Sequence, residues 1–282
     1  MRLRATTRLL AVVGDPVEHS LSPAMHNAAI RALGLDAAYL AIRVGHEEFA
    51  ATATVLLGAG AALNVTVPHK RAAAALPGVE YSDAARRTGA CNTLWRDGAR
   101  LAGDNTDVAA VASEAGALPG EGAPPVRRAV VIGTGGSARA AAVAVAGRWP
   151  GAQVEVVSRD AGRAGEFARW ASGAGIACRA WSAGESAPGA LVVNATPLGL
   201  KGSDPLPMDE AVLRRLRPAA VLDLVYARGG TPLVSRCRAL GIAAADGRGV
   251  LVAQGAAAFV RFFGVAAPVE VMRAAVEDAL RP

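Results

Sequence analysis

The chain has 282 residues, enough for about two domains at roughly 150 residues each. It is 52% hydrophobic and 19% charged, which supports a full buried core and excludes a disordered chain. Its net charge of +6 invites a nucleic-acid reading, but the arginines come singly or in pairs and aromatic residues are only 4%, too few for a base-stacking platform. A positive field that draws in small anions explains the charge as well.

Of the 30 basic residues only two are Lys, Lys70 and Lys201. Arg stays protonated, whereas burial can tune Lys to trade a proton near neutral pH. Lys201 lies in a polar loop and reads as a solvated charge; Lys70 is the chemical candidate. The apolar stretch Val250–Val265 is interrupted by Gln254 and Arg261, so no membrane span is expected. Cys91, Cys178 and Cys237 are odd in number and far apart, which suits a reducing cytoplasm. His19, His26, His46 and His69 lack i,i+4 spacing, so no metal site is expected.

Strand and helix patterns alternate, predicting an α/β protein with two domains and mainly parallel sheets. Leu9–Val13 reads as a strand. Ser22-Pro23 opens a helix that Gly34 stops, with Ser22 as its cap. Ala37–Val44 is a strand, Glu47–Leu57 a helix and Ala62–Val67 a strand ending at Pro68. His69–Leu76 and Asp83–Thr88 read as helices. Thr93–Arg96 and Arg100–Ala102 read as a hairpin around Asp97-Gly98. Asp107–Ala115 is helical, and the Gly/Pro-rich Gly116–Pro125 is a linker. A second block follows: strand Ala129–Ile132, helix Ser137–Trp149, strand Val154–Val157, helix Ala161–Ser172, and strands at Ile176–Trp181, Leu191–Asn194 and Val221–Val225. Pro232–Leu240 is a helix and Ile242–Ala244 a last strand. Helices Val250–Phe263 and Val269–Leu280 close the chain.

Gly133, Gly135, Gly136, Ser137 and Ala138 lie between a β-branched run and a helix. In that context glycines let the backbone approach a pyrophosphate, and the helix start offers unpaired N–H groups. The bland alternative is a tight strand-to-helix turn with no ligand. The next strand ends in Ser158-Arg159, not in the Asp or Glu expected for NAD. Arg159, with Arg163 one helical turn on, suits a 2′-phosphate and hence NADP(H) over NAD. Asp160 counts against this, since its charge repels a phosphate. A solvated basic face is the alternative.

Four further segments are polar where scaffold alone needs no polarity. Ser20 and Ser22 beside a helix start form a carboxylate receptor, or merely a helix cap. Asn64 and Thr66 share one face of a strand that leads to Lys70. Asn92-Thr93 and Gly103–Asp107 complete the set.

Together, HSLSP, NVTVPHK, GACNTL, GDNTD, GTGGSAR, NATPLG, DLVY and DGRGVLVAQ resemble the shikimate dehydrogenase family over about residues 9–260. The resemblance implies a substrate-binding domain at 1–106, completed by C-terminal helices at 247–282, and a Rossmann-type NADP domain at 107–246. It implies NADPH-dependent reduction of 3-dehydroshikimate to shikimate in aromatic amino acid biosynthesis. Lys70 and Asp107 would be the catalytic pair. Ser20 and Ser22 would hold the carboxylate; Thr66, Asn92 and Gln254 the ring hydroxyls; Tyr226 would border the substrate. Gly133, Gly135, Gly136, Ser137 and Ala138 would hold the pyrophosphate, with Ser158 and Arg159 at the adenosine end. Asn194 and Thr196 would lie on the nicotinamide side, and Gly247 would be a further cofactor-binding residue. His69 stands where Phe is common. Val108-Ala109-Ala110 replaces a frequent Gly-x-Gly, and Ser158-Arg159-Asp160 replaces Asn-Arg-Thr.

The expected partner is a small acid, with no nucleic acid and no membrane, in a cytoplasmic monomer or homodimer. The competing readings are a quinate/shikimate dehydrogenase using NAD or both cofactors, and a non-catalytic binding paralogue. NADP⁺ and NAD⁺ reduction with shikimate and with quinate separates them.

Overall fold

A computed structural model describes residues 3–120, 122–182, 186–201 and 203–281; positions 1, 2, 121, 183–185, 202 and 282 lie outside the described residues. The chain divides into two compact units. One holds the residues up to Thr106 together with Leu251–Arg281, the other Asp107–Val250.

The first unit runs β1 (Arg8–Gly14), α1 (Ser22–Ala32), β2 (Ala37–Arg43), α2 (Phe49–Gly58), β3 (Ala62–Val65), α3 (Lys70–Ala73), β4 (Val79–Tyr81), α4 (Asp83–Thr88), β5 (Thr93–Asp97) and β6 (Arg100–Asp104). Its sheet has the order β2-β1-β3-β5-β6-β4. Strand β5 runs antiparallel to both neighbours, and the other pairings are parallel. Residues Leu10–Val13 of β1 and all of β3 are buried, as expected of central strands covered on both faces. Helix α2 buries Phe49, Ala53 and Leu57, an i, i+4, i+8 stripe.

The second unit runs α5 (Asp107–Ala117), β7 (Arg128–Ile132), α6 (Gly136–Arg148), β8 (Gln153–Val157), α7 (Ala161–Gly173), β9 (Cys178–Ala180), β10 (Leu191–Asn194), α8 (Glu210–Leu216), β11 (Ala220–Asp223), α9 (Pro232–Ala239) and β12 (Ala243–Ala245). Its sheet is parallel throughout, with order β12-β11-β10-β7-β8-β9. The first strand is thus central, and the strand order reverses between β7 and β10, the doubly wound arrangement that opens a ligand crevice at the strands' C-terminal ends. Five buried alanines let α6 pack closely in the core. Helices α10 (Arg248–Phe263), from Leu251 onward, and α11 (Val269–Ala279) belong to the first unit.

Several expectations shift. Strand β4 and helix α8 have no counterpart in the sequence reading. Three residues are too few to show a period, and β4 exists through its pairing with β6. Helix α8 is only seven residues long and is held by buried Leu213 and Leu216. The helix expected at His69–Leu76 shrinks to α3, because Leu76 precedes Pro77 and such a residue is pushed out of helical geometry. Helix α5 runs two residues into the expected linker, whose position 121 lies outside the described residues. The hairpin loop is Gly98-Ala99, since Asp97 pairs with Arg100.

Candidate active site

Ser22 does not cap α1. Leu21 holds the cap position without a side-chain bond, and Ser22 is the first helical residue. The Ser22 N–H instead donates to Ser20 Oγ at 3.3 Å, so the two hydroxyls form one local unit at the helix start. Ser22 is buried.

From Tyr39 a polar network crosses the interior of the first unit. The Tyr39 hydroxyl donates to Asn64 Oδ1 at 2.8 Å. The Asn64 amide donates to the Asn92 carbonyl and to Thr93 Oγ1, both at 3.2 Å. Asn92 Oδ1 accepts from the Thr106 N–H at 2.9 Å, and the Asn92 amide donates to Thr106 Oγ1 at 3.0 Å. Burial of so many amides and hydroxyls is stable only when they satisfy one another. Burial pushes the Tyr39 pKa well up, so the phenol stays a hydrogen-bond donor.

The network reaches the segments that carry the expected proton-handling residues. The Lys70 carbonyl accepts from the Cys91 N–H at 2.8 Å, next to Asn92. Lys70 is half-buried at the start of α3, and Asp107 follows Thr106 as the first residue of α5. Thr66 lies just past β3, its N–H on the Val13 carbonyl at 2.9 Å. Gln254 lies on α10 and donates to the Leu251 carbonyl at 2.7 Å. Its neighbour Gly255 lets α10 approach α1: a Cβ there would sit 2.1 Å from Met25 Cε.

Sequence reasoning named neither Tyr39 nor Thr106 as site residues. A lone Tyr in an apolar strand reads as core, and only strand pairing shows its hydroxyl bonded to Asn64. His69 is buried; its Nε2–H donates to the Val44 carbonyl at 2.7 Å and its ring stacks on Phe49, centroids 4.6 Å apart.

In the second unit the glycine turn sits at the C-terminal end of β7. Gly133 has φ +111°, and a Cβ there would lie 3.1 Å from the Ala195 carbonyl oxygen and from Thr196 Cγ2. The turn is therefore packed against the loop after β10. Gly135 is the N-cap of α6 and contributes no capping side chain, and a Cβ on it would meet nothing within 4 Å. An open helix N-terminus in front of two glycines fits the pyrophosphate of a dinucleotide. Arg159 is exposed at the tip of β8. Asp160 caps α7, its Oδ1 accepting from the Arg163 N–H at 3.1 Å, and its Oδ2 lies 4.0 Å from Arg163 Nε. Much of the Asp160 charge thus serves the helix, and Ser158 Oγ accepts from the Asp160 N–H at 3.2 Å.

On the other side of β7, buried Asn194 organises the loop after β10. Its Oδ1 accepts from the Thr196 N–H at 3.1 Å and from Thr196 Oγ1 at 2.7 Å. Its amide donates to the Leu198 carbonyl at 3.2 Å and to Asp223 Oδ1 at 2.8 Å. Gly247 has a packing reason to be glycine: a Cβ would lie 2.3 Å from the Leu224 carbonyl oxygen. Tyr226 is half-buried just past β11. Among the described residues no group of three or more His, Cys, Asp or Glu is arranged to hold a metal, and no helix is long and apolar enough to cross a membrane.

Comparison with known proteins converges on one family. The model of the shikimate dehydrogenase substrate binding domain matches residues 12–94, and that of the shikimate 5′-dehydrogenase C-terminal domain matches residues 247–277. The chain is 39% identical to the shikimate dehydrogenase (NADP(+)) of Acidiphilium cryptum, covering 99% of this chain and 96% of that protein. It is 39% identical to that of Rhodospirillum rubrum, covering 95% and 96%. It is similar to the crystal structure of Thermus thermophilus shikimate 5-dehydrogenase in complex with NADP(H) and shikimate, with TM-score 0.81, 33% identity, and coverage of 96% and 99%. An open glycine turn on a doubly wound sheet, a buried amide–hydroxyl network in the other unit, and identity running the length of the chain have one common explanation: this chain belongs to the shikimate dehydrogenase family.

Proposed function

We propose that the chain catalyses the reversible NADP-dependent interconversion of shikimate and 3-dehydroshikimate. The observation that carries the reading is the 39% identity, over nearly the whole length of both chains, to a relative named for that activity. The unit completed by Leu251–Arg281 is the substrate unit, and Asp107–Val250 the NADP unit.

The bound cofactor supplies or accepts the hydride. Gly133, Gly135, Gly136, Ser137 and Ala138 hold its pyrophosphate at the α6 N-terminus, Ser158, Arg159 and Arg163 meet the adenosine 2′-phosphate, and Asn194, Thr196 and Gly247 border the nicotinamide. Ser20 and Ser22 bind the shikimate carboxylate. Thr66, Asn92 and Gln254 bond the ring hydroxyls, and Tyr226 closes the substrate's cofactor side. Oxidation removes a hydride from the hydroxyl carbon and a proton from the oxygen. The Lys70 amine takes that proton, and the Asp107 carboxylate orients the lysine and stabilises the resulting ammonium. In the reverse direction Lys70 returns the proton to the developing alkoxide. The anchoring of the Lys70 carbonyl to Cys91 and of Thr106 to Asn92 supports this pairing. The enzyme works in the cytoplasm as a monomer or homodimer, without nucleic-acid or membrane partners.

The test is reduction of NADP⁺ and NAD⁺ by the purified chain with shikimate and with quinate. Preference for shikimate with NADP⁺ is expected. Preference for quinate with NAD⁺ refutes the assignment in favour of a quinate enzyme, and no turnover with any pair points to a binding paralogue. Lys70→Met is expected to bind shikimate yet lose at least about 10³-fold in kcat, about 4 kcal/mol of transition-state stabilisation.

A further inference from the structure

Asp223 is a fully buried carboxylate at the C-terminal end of β11, in register with Asn194 at the end of β10. Its Oδ1 accepts from the Asn194 amide at 2.8 Å and from the Val225 N–H at 3.1 Å. Its Oδ2 accepts from Thr231 Oγ1 at 2.7 Å. Thr231 Oγ1 in turn accepts from the Val234 N–H, which leaves its hydroxyl hydrogen directed at Asp223. Three donors converge on the two oxygens, the environment of an ionised carboxylate. Burial holds its pKa above the ordinary carboxylate value and the nearby Asp246 charge adds to that, the donors from Thr231, Asn194 and Val225 offsetting only part of the rise. Asp246 is itself paired with Arg248 at 2.8 Å. Among the described residues Asp223 has no cationic partner.

A buried anion without a cation is costly, and the three donors it holds in place offset only part of that cost. Its position supplies a further reason to keep it. It lies under the loop after β10: a Cβ on Gly199 would be 4.0 Å from Asp223 Oδ2, and Asn194 links the carboxylate to Thr196. That same loop packs against the glycine turn. In a doubly wound sheet the dinucleotide crosses the strand ends at the reversal point. With the adenosine end at the tip of β8, the nicotinamide half extends over β10 and β11.

We propose that Asp223 is a positioning residue whose buried negative charge favours the oxidised dinucleotide, which carries a positive nicotinamide ring, over the neutral reduced form. The proposal rests on the nucleotide-site reading above. It makes the redox balance of the bound cofactor a property of β11 as well as of the loop that touches the ring.

The test is binding, separate from turnover. NADPH affinity is read by its fluorescence on titration, and NADP⁺ affinity by displacement, for the wild type and for Asp223→Asn. The variant's amide oxygen takes the place of Oδ1 and its NH₂ donates to Thr231, so the charge is removed with little change of shape. Asp223→Ser is the second charge-removing variant, in case the first does not fold. The ratio Kd(NADP⁺)/Kd(NADPH) is expected to rise about fivefold, the scale of one charge acting across a partly solvated site. An unchanged ratio, including equal weakening of both forms, overturns the proposal and reduces Asp223 to a brace of the loop, while the nucleotide site stands. Binding of neither form by the wild type overturns the nucleotide reading and this proposal with it.

Discussion

His26 and Tyr39 lie face to face, with ring centroids 4.3 Å apart and planes within 1°. His26 is fully buried on α1, and neither ring nitrogen has a hydrogen-bond partner among the described residues. Burial holds its pKa down at about 3, so the neutral imidazole packs as an aromatic disc against the residue whose hydroxyl donates to Asn64.

This fixes the sign of a pH effect on stability. The unfolded chain binds a proton at His26 near pH 6.5, and the folded chain does so only near 3. The contribution is therefore fully present above 6.5 and is lost as the pH falls toward 3, by about 1.4 kcal/mol per pH unit. Urea unfolding of the wild type should lose about 2 kcal/mol more between pH 7 and 5 than that of His26→Phe. Parallel losses in the two proteins would count against the buried neutral histidine.

Tyr39→Phe removes one hydroxyl and leaves the buried Asn64 oxygen without its donor. Such an orphan costs about 1–3 kcal/mol. Stability should fall by that amount. Because Asn64 bonds the backbone of Asn92, the KM for shikimate should rise about tenfold. A variant with wild-type KM would show that the network supports the fold without shaping the site.

The two glycines of the turn should behave differently. Gly133→Ala places a Cβ at positive φ and 3.1 Å from the Ala195 oxygen, so it should lose both cofactor binding and about 1–2 kcal/mol of stability. Gly135→Ala meets nothing within 4 Å, and should melt within about 0.5 kcal/mol of the wild type. It should nonetheless weaken NADPH binding at least about tenfold, because its methyl group enters the space in front of the helix. Thermal melts and NADPH fluorescence titration on both variants decide the matter. Normal NADPH affinity in Gly135→Ala argues for a ligand-free turn.

Arg159→Ala tests the choice between NADP and NAD. A lost charge-assisted bond to a 2′-phosphate costs about 1.5–3 kcal/mol, or about 10- to 100-fold in affinity. That loss should fall on NADPH and leave NADH unchanged. Equal effects on both would place the 2′-phosphate elsewhere.

Much of the architecture was legible from local pattern. The glycine turn announced itself through its place between a β-branched strand and a small-residue helix, and the alternation of strands and helices predicted mainly parallel sheets. Asp160 was legible only as a charge; the structure adds that it caps α7, through a bond that closes within three residues. Elements without a period of their own were not legible. Strand β4 is three residues long and exists because Val79, Glu80 and Tyr81 pair with Leu101, Ala102 and Gly103. Ser22 looked like a cap because Ser before a helix usually is one, and the chain instead starts the helix at that residue.

By itself, then, the sequence determined what depends on near neighbours: helix stripes, turn glycines, and polar residues standing in apolar runs. Tertiary structure decided which of those polar residues meet. Tyr39, Asn64, Asn92 and Thr106 are scattered over 68 positions, and their bonds exist because the sheet order brings β2, β1, β3 and β5 side by side. The same holds for Asn194 and Asp223, joined by the register of β10 on β11. Hydrogen bonds between buried groups follow strand order and register, and those follow from long-range burial that no local window contains.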